Sequence, residues 1–287
     1  MLSEDPTVAG TLNQNPSDNT DVTGAIELNA DSICSRLGSP ARALLHHVEV
    51  FEQTDSTNSR LLEAADDGAV SGTVYVAAEQ TEGRGRQGRR WFSPAGGSVS
   101  ISLLWQLPDL RAATGMSLAT GVAVLRALNR LGIADAGLKW PNDVMWQDRK
   151  LAGILVEARG GKDCAAVIGI GINTAFPDKA IVDQPFVDLE TILGEVPPLN
   201  DVAGAVLNEL LLLLPIYQSD GRDDVLEEWR SVDVLRDRPV RVEQDGVEFR
   251  GIERGINEQG ALLVETERGV RSFSTGELKV RADETAG

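Results

Sequence analysis

The chain has 287 residues, of which 42% are hydrophobic, and a formal net charge of −17 at pH 7. This length supports one large domain and one small domain around buried cores. So much negative charge repels the phosphates of nucleic acids and the headgroups of anionic lipids, which argues against a DNA-binding or membrane-binding protein.

The two cysteines, Cys34 and Cys164, show neither a CxxC pattern nor a Cys/His spacing. The sequence therefore predicts no zinc site and favours a reducing compartment. No N-terminal stretch has the form of a signal peptide, and the longest leucine run, Leu210 to Leu214, is too short to span a bilayer. We expect a cytoplasmic protein with no membrane association.

Residues 1–31 contain six acidic residues and no basic ones, a composition that predicts a disordered acidic tail. From Ile33 to His47 the sequence predicts one short helix and a connection. That stretch is too short for a helix-turn-helix head that reads DNA. We assign residues 32–235 to the large domain.

The large domain begins with a strand near Val48, followed by the polar turn DSTN and a helix. Asp55 or Ser56 is the expected N-cap of that helix, which ends near Gly68. The run Thr73–Gln80 predicts a strand, and so does SVSISLLW, in which hydrophobic residues alternate with serines.

A helix with regularly spaced apolar residues runs to Gly132, and VMW and LAGILVE flank QDRK as a predicted β-hairpin. AAVIGIGIN is typical of a buried strand, and helices at 201–217 and 223–232 complete the domain. After Arg236, short β segments separated by turns predict a small SH3-like barrel over residues 236–283. The predicted fold class is α+β.

The motif GRGRQGRRWFSP, Gly83 to Pro94, opens with a stretch rich in glycine and arginine, residues 83–90, which we call the arginine loop. Glycines permit close backbone approach, and arginines offer forked donors to carboxylate or phosphate. The stretch also matches GxGxxG, but a strand follows it where a dinucleotide-binding turn needs a helix. Taken alone, such a loop is equally well explained as a solvated hairpin.

The second motif is LKWPNDVMWQDRKLAGILVE, Leu138 to Glu157. Asn142 and Asp143 offer oxygen ligands of the kind that Mg²⁺ accepts beside nucleotide phosphates, and two lysines flank them. By itself, a PND sequence is usually no more than a turn.

Five motifs in the same order and at similar spacing resemble those of the bacterial biotin protein ligases. They are DSTN at 55–58, EQTEGRGRQGR at 79–89, KWPND at 139–143, KLAGILVE at 150–157 and GIGIN at 169–173. The resemblance continues through RGINEQGALLVET at 254–266 and covers the chain from Val48 to Arg281. Lipoate ligases share the catalytic fold, but the arginine loop and the C-terminal segment look like those of the biotin enzymes.

This resemblance implies a mixed-sheet catalytic domain of the biotin/lipoate ligase type with a C-terminal SH3-like barrel. It also implies the reaction: ATP and biotin give biotinyl-5'-AMP, and the biotinyl group is transferred to a lysine of a biotin carboxyl carrier protein. The implied cofactors are ATP, biotin and Mg²⁺. The resemblance also allows a homodimer.

Individual site residues follow from the same resemblance. Biotin is expected to meet Ser56, Thr57, Asn58 and Gln80. The arginine loop is expected to close over biotin and its adenylate through Gly83, Arg84, Gly85 and Arg86. The nucleotide is expected to meet Lys139 and Asn142, with Asn142 and Asp143 as ligands of Mg²⁺. Further binding positions are Lys150, Gly153 and Asn173.

Three residues are expected to act in catalysis. Lys150 and Arg86 offset the repulsion between the biotin carboxylate and the α-phosphate, and Asp143 accepts a proton from the acceptor lysine. Two positions depart from some relatives: Gln87 stands where they have an arginine, and Phe186 where they have a tryptophan that covers the adenine. How well the adenylate is retained therefore stays open.

The missing reading head predicts a monofunctional enzyme that does not bind DNA. Two competing classes are a nucleic-acid-binding regulator with an SH3-like module and a non-catalytic biotin-binding module. The acidity of the chain opposes the first. The second would need neither Lys150 nor the KWPND turn, and the sequence contains both.

Overall fold

The computed structural model describes residues 28–160, 164–176, 184–274 and 278–282. Residues 1–27 of the predicted acidic tail lie outside the described residues. The last residues assigned to that tail belong to the fold, since the side chain of Asn29 caps the first helix and its backbone N–H donates to Asn200 Oδ1 at 2.8 Å.

A seven-stranded mixed sheet forms the body of the large domain, in the order β1-β2-β3-β7-β6-β5-β4. Only β1 and β2 pair in parallel, and every other neighbouring pair is antiparallel. The strands are β1 His47–Thr54, β2 Thr73–Gln80, β3 Ser98–Gln106, β4 Ala136–Lys139, β5 Asp143–Trp146, β6 Arg149–Arg159 and β7 Ala165–Asn173. The α+β class and the mixed sheet are both confirmed.

Helices pack on both faces of this sheet. They are α1 Ala30–Cys34, α2 Ser39–Leu44, α3 Thr57–Asp66, α4 Met116–Arg130, α5 Leu189–Leu193, α6 Leu199–Tyr217 and α7 Arg222–Ser231. Helices α4, α6 and α7 share the main hydrophobic core, while α3 covers a small cluster on the other face through Leu61, Leu104 and Val167.

Helix α6 is long and apolar enough to cross a membrane by length and composition. Most of it is buried, however, and it packs along α4 and against α2. Its apolar residues therefore belong to the protein core, as expected for a central helix of an α+β domain.

Strand β3 explains where the site lies. Its hydrophobic residues face the main core, whereas the alternate residues face α3 and the arginine loop. Along that second face the chain changes from Leu104, under α3, to Ser102 and Ser100, both at most 2% exposed. Buried hydroxyls need partners, so β3 supplies a polar surface on the face of the sheet opposite the main core.

Several local predictions are confirmed. Ser56 is the N-cap of α3, and β5 and β6 form the expected hairpin, with Gln147 and Asp148 both at positive φ in its two-residue turn. Two short helices, not one, precede β1. Gly38 lies between α1 and α2 as the N-cap of α2, and Pro40 stands in the first turn of α2, so the two helices do not run together.

The C-terminal module, residues 239–282, is an antiparallel sheet in the order β11-β10-β9-β8-β12. Its strands are β8 Pro239–Gln244, β9 Val247–Ile256, β10 Leu262–Thr266, β11 Gly269–Phe273 and β12 Leu278–Ala282. The short β segments predicted for this region are present as β8 to β11. Strand β12 was not predicted, because its polar residues and short length give a weak strand signal. The Trp140 indole N–H donates to the Gly260 carbonyl at 3.1 Å, which joins the module to the KWPND segment.

Candidate active site

The DSTN turn places its side chains at the start of α3. Ser56 caps the helix by accepting from the Ser59 backbone N–H, at 3.4 Å. Asp55 points elsewhere, since its carboxylate pairs with Arg60 at 3.1 Å, and the Ser56 backbone N–H holds the pKa of Asp55 below its ordinary value. The turn therefore presents Thr57 and Asn58 to the sheet.

A polar wall forms where this turn meets β2 and β3, and we define it as Thr57, Asn58, Gln80, Ser100 and Ser102. All five are buried. Gln80 Oε1 accepts from the Thr57 backbone N–H at 2.8 Å, and Gln80 Nε2 donates to Ser100 Oγ at 2.9 Å. Ser102 Oγ lies 2.6 Å from Asn58 Oδ1 and 2.8 Å from Thr57 Oγ1. Three of the four residues predicted on the biotin side, Thr57, Asn58 and Gln80, are thus brought together, and the two serines complete the wall. The fourth, Ser56, caps α3 next to it.

The arginine loop is a narrow hairpin. The Gly85 N–H donates to the Arg89 carbonyl at 2.7 Å, and the Trp91 N–H donates to the Gly83 carbonyl at 2.8 Å. A Cβ on Gly83 would lie 2.4 Å from the Trp91 carbonyl oxygen, so only glycine fits there. Gln87 occupies the tip at a φ of 59°, a conformation in which L side chains are uncommon.

Two arginines extend from the loop in different directions. Arg84 Nη2 bonds Glu157 Oε1 on β6 at 2.7 Å. Arg86 reaches toward the KWPND segment, with Nη1 3.5 Å from Asn142 Oδ1. Burial and the nearby Arg89 lower the pKa of Arg86, while the carboxylate of Asp143 acts in the opposite direction. The loop therefore spans the distance from the polar wall to the predicted nucleotide side.

Lys150 and Asp143 form an ion pair at the centre of that side. Lys150 Nζ lies 2.6 Å from Asp143 Oδ1, and both side chains are about one-sixth exposed (15% and 16%). The Lys150 backbone is held by Asn173, whose Nδ2 donates to the Lys150 carbonyl at 3.1 Å and to the Val187 carbonyl at 3.0 Å. Asn173 therefore positions Lys150, with its amide N–H groups directed at backbone oxygens.

Lys139 and Asn142 flank the same ion pair. Burial lowers the pKa of Lys139; Asp143 opposes this, while three cations nearby, Lys150, Arg89 and Arg281, add to it. Asn142 Nδ2 donates to the Ile154 carbonyl at 2.7 Å, which leaves its amide oxygen on the side of Arg86. The predicted catalytic and nucleotide residues therefore lie side by side around one carboxylate.

Trp91 lies between the polar wall and this charged cluster, and the sequence analysis gave it no role. Its ring covers Gly153 and Gly171, a cross-strand pair on β6 and β7, where a Cβ on Gly171 would lie 2.4 Å from the indole. Lys150 Nζ is 5.6 Å from the ring centroid. The buried indole Nε1 has no hydrogen-bond partner among the described residues. In the sequence, the signal that could have indicated this contact was the presence of a glycine in each of two predicted strands, Gly153 and Gly171.

Three phenylalanines form a row next to Lys150. Ring centroids are 5.6 Å apart between Phe92 and Phe176, and 4.6 Å apart between Phe176 and Phe186. Phe186 pairs with Lys150 through an isolated β-bridge. Phe186, singled out by its position in the sequence, thus belongs to an aromatic surface of a kind that suits a flat base.

Comparison with known proteins agrees with this arrangement. Residues 50–173 match the model of the biotin/lipoate A/B protein ligase family, and residues 237–280 match the biotin protein ligase C terminal domain. The bifunctional ligase/repressor BirA of Escherichia coli is 37% identical over 262 residues, which span 90% of this chain and 79% of that protein. The chain belongs to the biotin protein ligase family.

Two further relatives support this assignment. The biotin–[acetyl-CoA-carboxylase] ligase of Mycobacterium tuberculosis is 35% identical over 226 residues, covering 76% of this chain and 83% of that protein. The structure of the Aquifex aeolicus biotin protein ligase in complex with biotin and ATP superposes with a TM-score of 0.74 at 28% identity. That match covers 83% of this chain and all of the other. The present chain therefore contains both the catalytic part and the C-terminal part of the family.

Proposed function

We propose that this ligase activates biotin with ATP and transfers the biotinyl group to a lysine of a carboxylase carrier protein. The observation that carries the proposal is the junction of two surfaces. A buried polar wall, suited to a ureido ring, meets a cluster of cations around Asp143, suited to phosphates.

In the first half-reaction, a carboxylate oxygen of biotin forms a bond to the α-phosphorus of ATP, and the bond from that phosphorus to pyrophosphate breaks. The reactants repel each other because both are negatively charged. Lys150 and Arg86 offset this repulsion, since both are positively charged and lie near Asp143 on the predicted nucleotide side. Lys150 Nζ exchanges its contact with Asp143 for contacts with the carboxylate and phosphate oxygens.

The donor set fits Mg²⁺. Asp143 offers a carboxylate and Asn142 an amide oxygen whose own N–H group is bound elsewhere, and Mg²⁺ often takes one or two protein oxygens and completes its shell with phosphates and water. The described residues contain no cluster of three or more His, Cys, Asp or Glu side chains, so a site made of protein ligands alone is not formed by them. When bound, the ion would neutralise charge on the phosphates.

The arginine loop holds the product of this step. A mixed anhydride is prone to hydrolysis, and a loop that covers it excludes water. Arg86 reaches from the loop to within 3.5 Å of Asn142 Oδ1, so this side chain can hold the loop against the predicted nucleotide side.

In the second half-reaction, the acceptor amine attacks the acyl carbon, the bond from that carbon to AMP breaks, and the amine loses a proton. We propose Asp143 as the proton acceptor. Asp143 is the counter-ion of Lys150, so its carboxylate becomes available once Lys150 turns toward the phosphate.

The proposal is tested by incubation with ATP, Mg²⁺ and biotin, in which we expect biotinyl-5'-AMP and pyrophosphate even without an acceptor. Addition of a biotin carboxyl carrier domain should give one mass increment on that domain. Faster activation of lipoate or octanoate than of biotin would overturn the proposal in favour of a lipoate ligase.

A monofunctional, cytoplasmic enzyme without DNA binding remains part of this proposal. Both cysteines are free thiols, which agrees with a reducing compartment. Relatives such as the E. coli protein are named ligase/repressors, so a gel shift with double-stranded DNA is the direct test. Sedimentation with and without biotin and ATP tests for the homodimer.

A further inference from the structure

Glu157 is the last residue of the KLAGILVE motif, and no step of the proposed reaction uses it. It lies on β6, facing α3 and the arginine loop, with its side chain 22% exposed. Its two carboxylate oxygens accept from different elements: Oε2 from Asn58 Nδ2 at 3.0 Å and Oε1 from Arg84 Nη2 at 2.7 Å. One carboxylate therefore joins the DSTN turn to the arginine loop.

The contact with Asn58 fixes the orientation of a buried amide. Only the NH₂ end of an amide can face a carboxylate, so Asn58 must turn its oxygen toward Ser102. The single hydroxyl proton of Ser102 is then directed at Asn58 Oδ1, at 2.6 Å. Glu157 thereby sets which groups of the polar wall donate and which accept.

Both ends of the Asn58 amide already have partners within the protein. Its Nδ2 also lies 3.4 Å from the Leu155 carbonyl, and a Cβ on Gly169 would lie 2.2 Å from its Oδ1. The amide is thus packed on the backbone of the sheet with both ends bonded. This arrangement favours an indirect role for Asn58 in binding biotin, through the hydroxyls beside it, over the direct contact predicted from the sequence.

The contact with Arg84 fixes the first half of the arginine loop. Arg84 is opposite Arg90 in the stem of the hairpin, and among the residues that the structure describes its side chain makes one other contact, a long one of 3.4 Å to Ser59 Oγ. The Glu157 carboxylate is therefore the main attachment of this side chain to the sheet. A charge-assisted bond of this kind stabilises one position of the loop stem.

We propose that Glu157 is a positioning residue that acts at two points of the same reaction. Through Asn58 it orients the polar wall that recognises the biotin ring, and through Arg84 it holds the arginine loop over the adenylate. This inference rests on the proposed biotin ligase function, and it assigns no contact between Glu157 and the substrates.

Two substitutions separate the two roles. Glu157→Gln keeps an oxygen that can accept a hydrogen bond from Asn58 but removes the charge that holds Arg84. Glu157→Ala removes both the contact with Asn58 and the contact with Arg84. Loss of a hydrogen bond that orients a buried polar group changes binding by roughly tenfold. We expect Glu157→Ala to raise the KM for biotin about tenfold and to release adenylate faster, and Glu157→Gln to release adenylate faster with the KM for biotin within about twofold of the parent.

The measurements are pyrophosphate release at varied biotin concentration and the rate at which biotinyl-5'-AMP leaves the enzyme during gel filtration, both normalised to active sites by a burst titration. Glu248→Ala is the matched control. It also removes a carboxylate that pairs with an exposed arginine, here Arg250 on the C-terminal module. It should leave both quantities unchanged.

The results distinguish the possible failures. If the parent enzyme makes no adenylate, the proposed function falls and this inference falls with it. If the parent is active but Glu157→Ala changes neither the KM for biotin nor the adenylate release rate per active site, the inference alone is overturned. A lower thermal midpoint with unchanged kinetics per active site would identify Glu157 as merely structural and would equally overturn it.

Discussion

Replacement of Lys150 by alanine tests the charge argument most directly. Lys150 Nζ lies 2.6 Å from Asp143 Oδ1, and the lysine side chain is mostly buried. Two unit charges about 4 Å apart interact by about 4 kcal/mol at an effective dielectric constant of about 20. Because about 1.4 kcal/mol corresponds to a factor of ten in rate, complete loss of such an interaction with the transition state would slow adenylation by about a thousandfold.

Water that enters the space left by the side chain offsets part of this loss, so we expect a decrease between about 100-fold and about 1000-fold. Biotin binding should persist, since the polar wall does not include Lys150. The apparent affinity for ATP should also fall, because Asp143 loses its counter-ion and repels the phosphates.

Single-turnover pyrophosphate release measures the chemical step, and calorimetric titration with biotin measures binding. Arg111→Ala is the matched control: it removes one positive charge at a side chain that is 91% exposed and paired only with Asp109 nearby. Adenylate formation at the parental rate in Lys150→Ala would refute the role assigned to this lysine, even with the family assignment intact.

Three further predictions concern the arginine loop, the N-terminal residues and Glu253 on β9 of the C-terminal module. Arg86→Gly should make adenylate but lose it, seen as faster release on gel filtration and as biotin on bystander proteins; retention at the parental level would contradict this. Removal of residues 1–27, which contain no matched motif, should leave the carrier biotinylation rate within about twofold. Burial, and the neighbouring Asp233, raise the pKa of Glu253, so the folded state binds its proton more tightly than the unfolded state. The resulting stability is complete below the ordinary glutamate pKa of about 4.3 and is lost as pH rises through the raised value. Thermal midpoints across pH should show this decline in the parent and a smaller one in Glu253→Gln.

Much of the fold was predictable because it depends on local patterns. The hydrophobic alternation of β3, the cap at Ser56 and the QDRK hairpin each follow from a few neighbouring residues. The order of strands in the sheet depends on contacts between residues far apart in sequence, and it was expected only through the resemblance. Residues 28–31 were assigned to the tail because the acidic composition around them outweighed the single capping residue Asn29.

The sequence allowed us to predict which residues lie in the site. It did not show which of them face a ligand and which hold other parts of the protein in place. Sequence placed Asn58 and Asn173 among the binding residues, whereas the structure shows their amide N–H groups bonded to Glu157 and to backbone carbonyls. A motif cannot show which face of a side chain is already occupied. The ring of Trp91 over two glycines is likewise a contact between three elements, and no single segment encodes it.

The hydrogen bond between Trp140 and Gly260 limits how members of this family can be recombined. Gly260 has a φ of 79°, and a Cβ there would lie 2.9 Å from a methyl group of Leu118 on α4. The turn that carries it is therefore shaped to one particular partner, although it belongs to a separate sheet. A chimera in which the C-terminal module came from another family member would place a different turn against Trp140, which is 1% exposed in this chain. An exchange of the C-terminal module would consequently have to include the residues of the large domain that contact it, and not only a segment between two boundaries in the sequence.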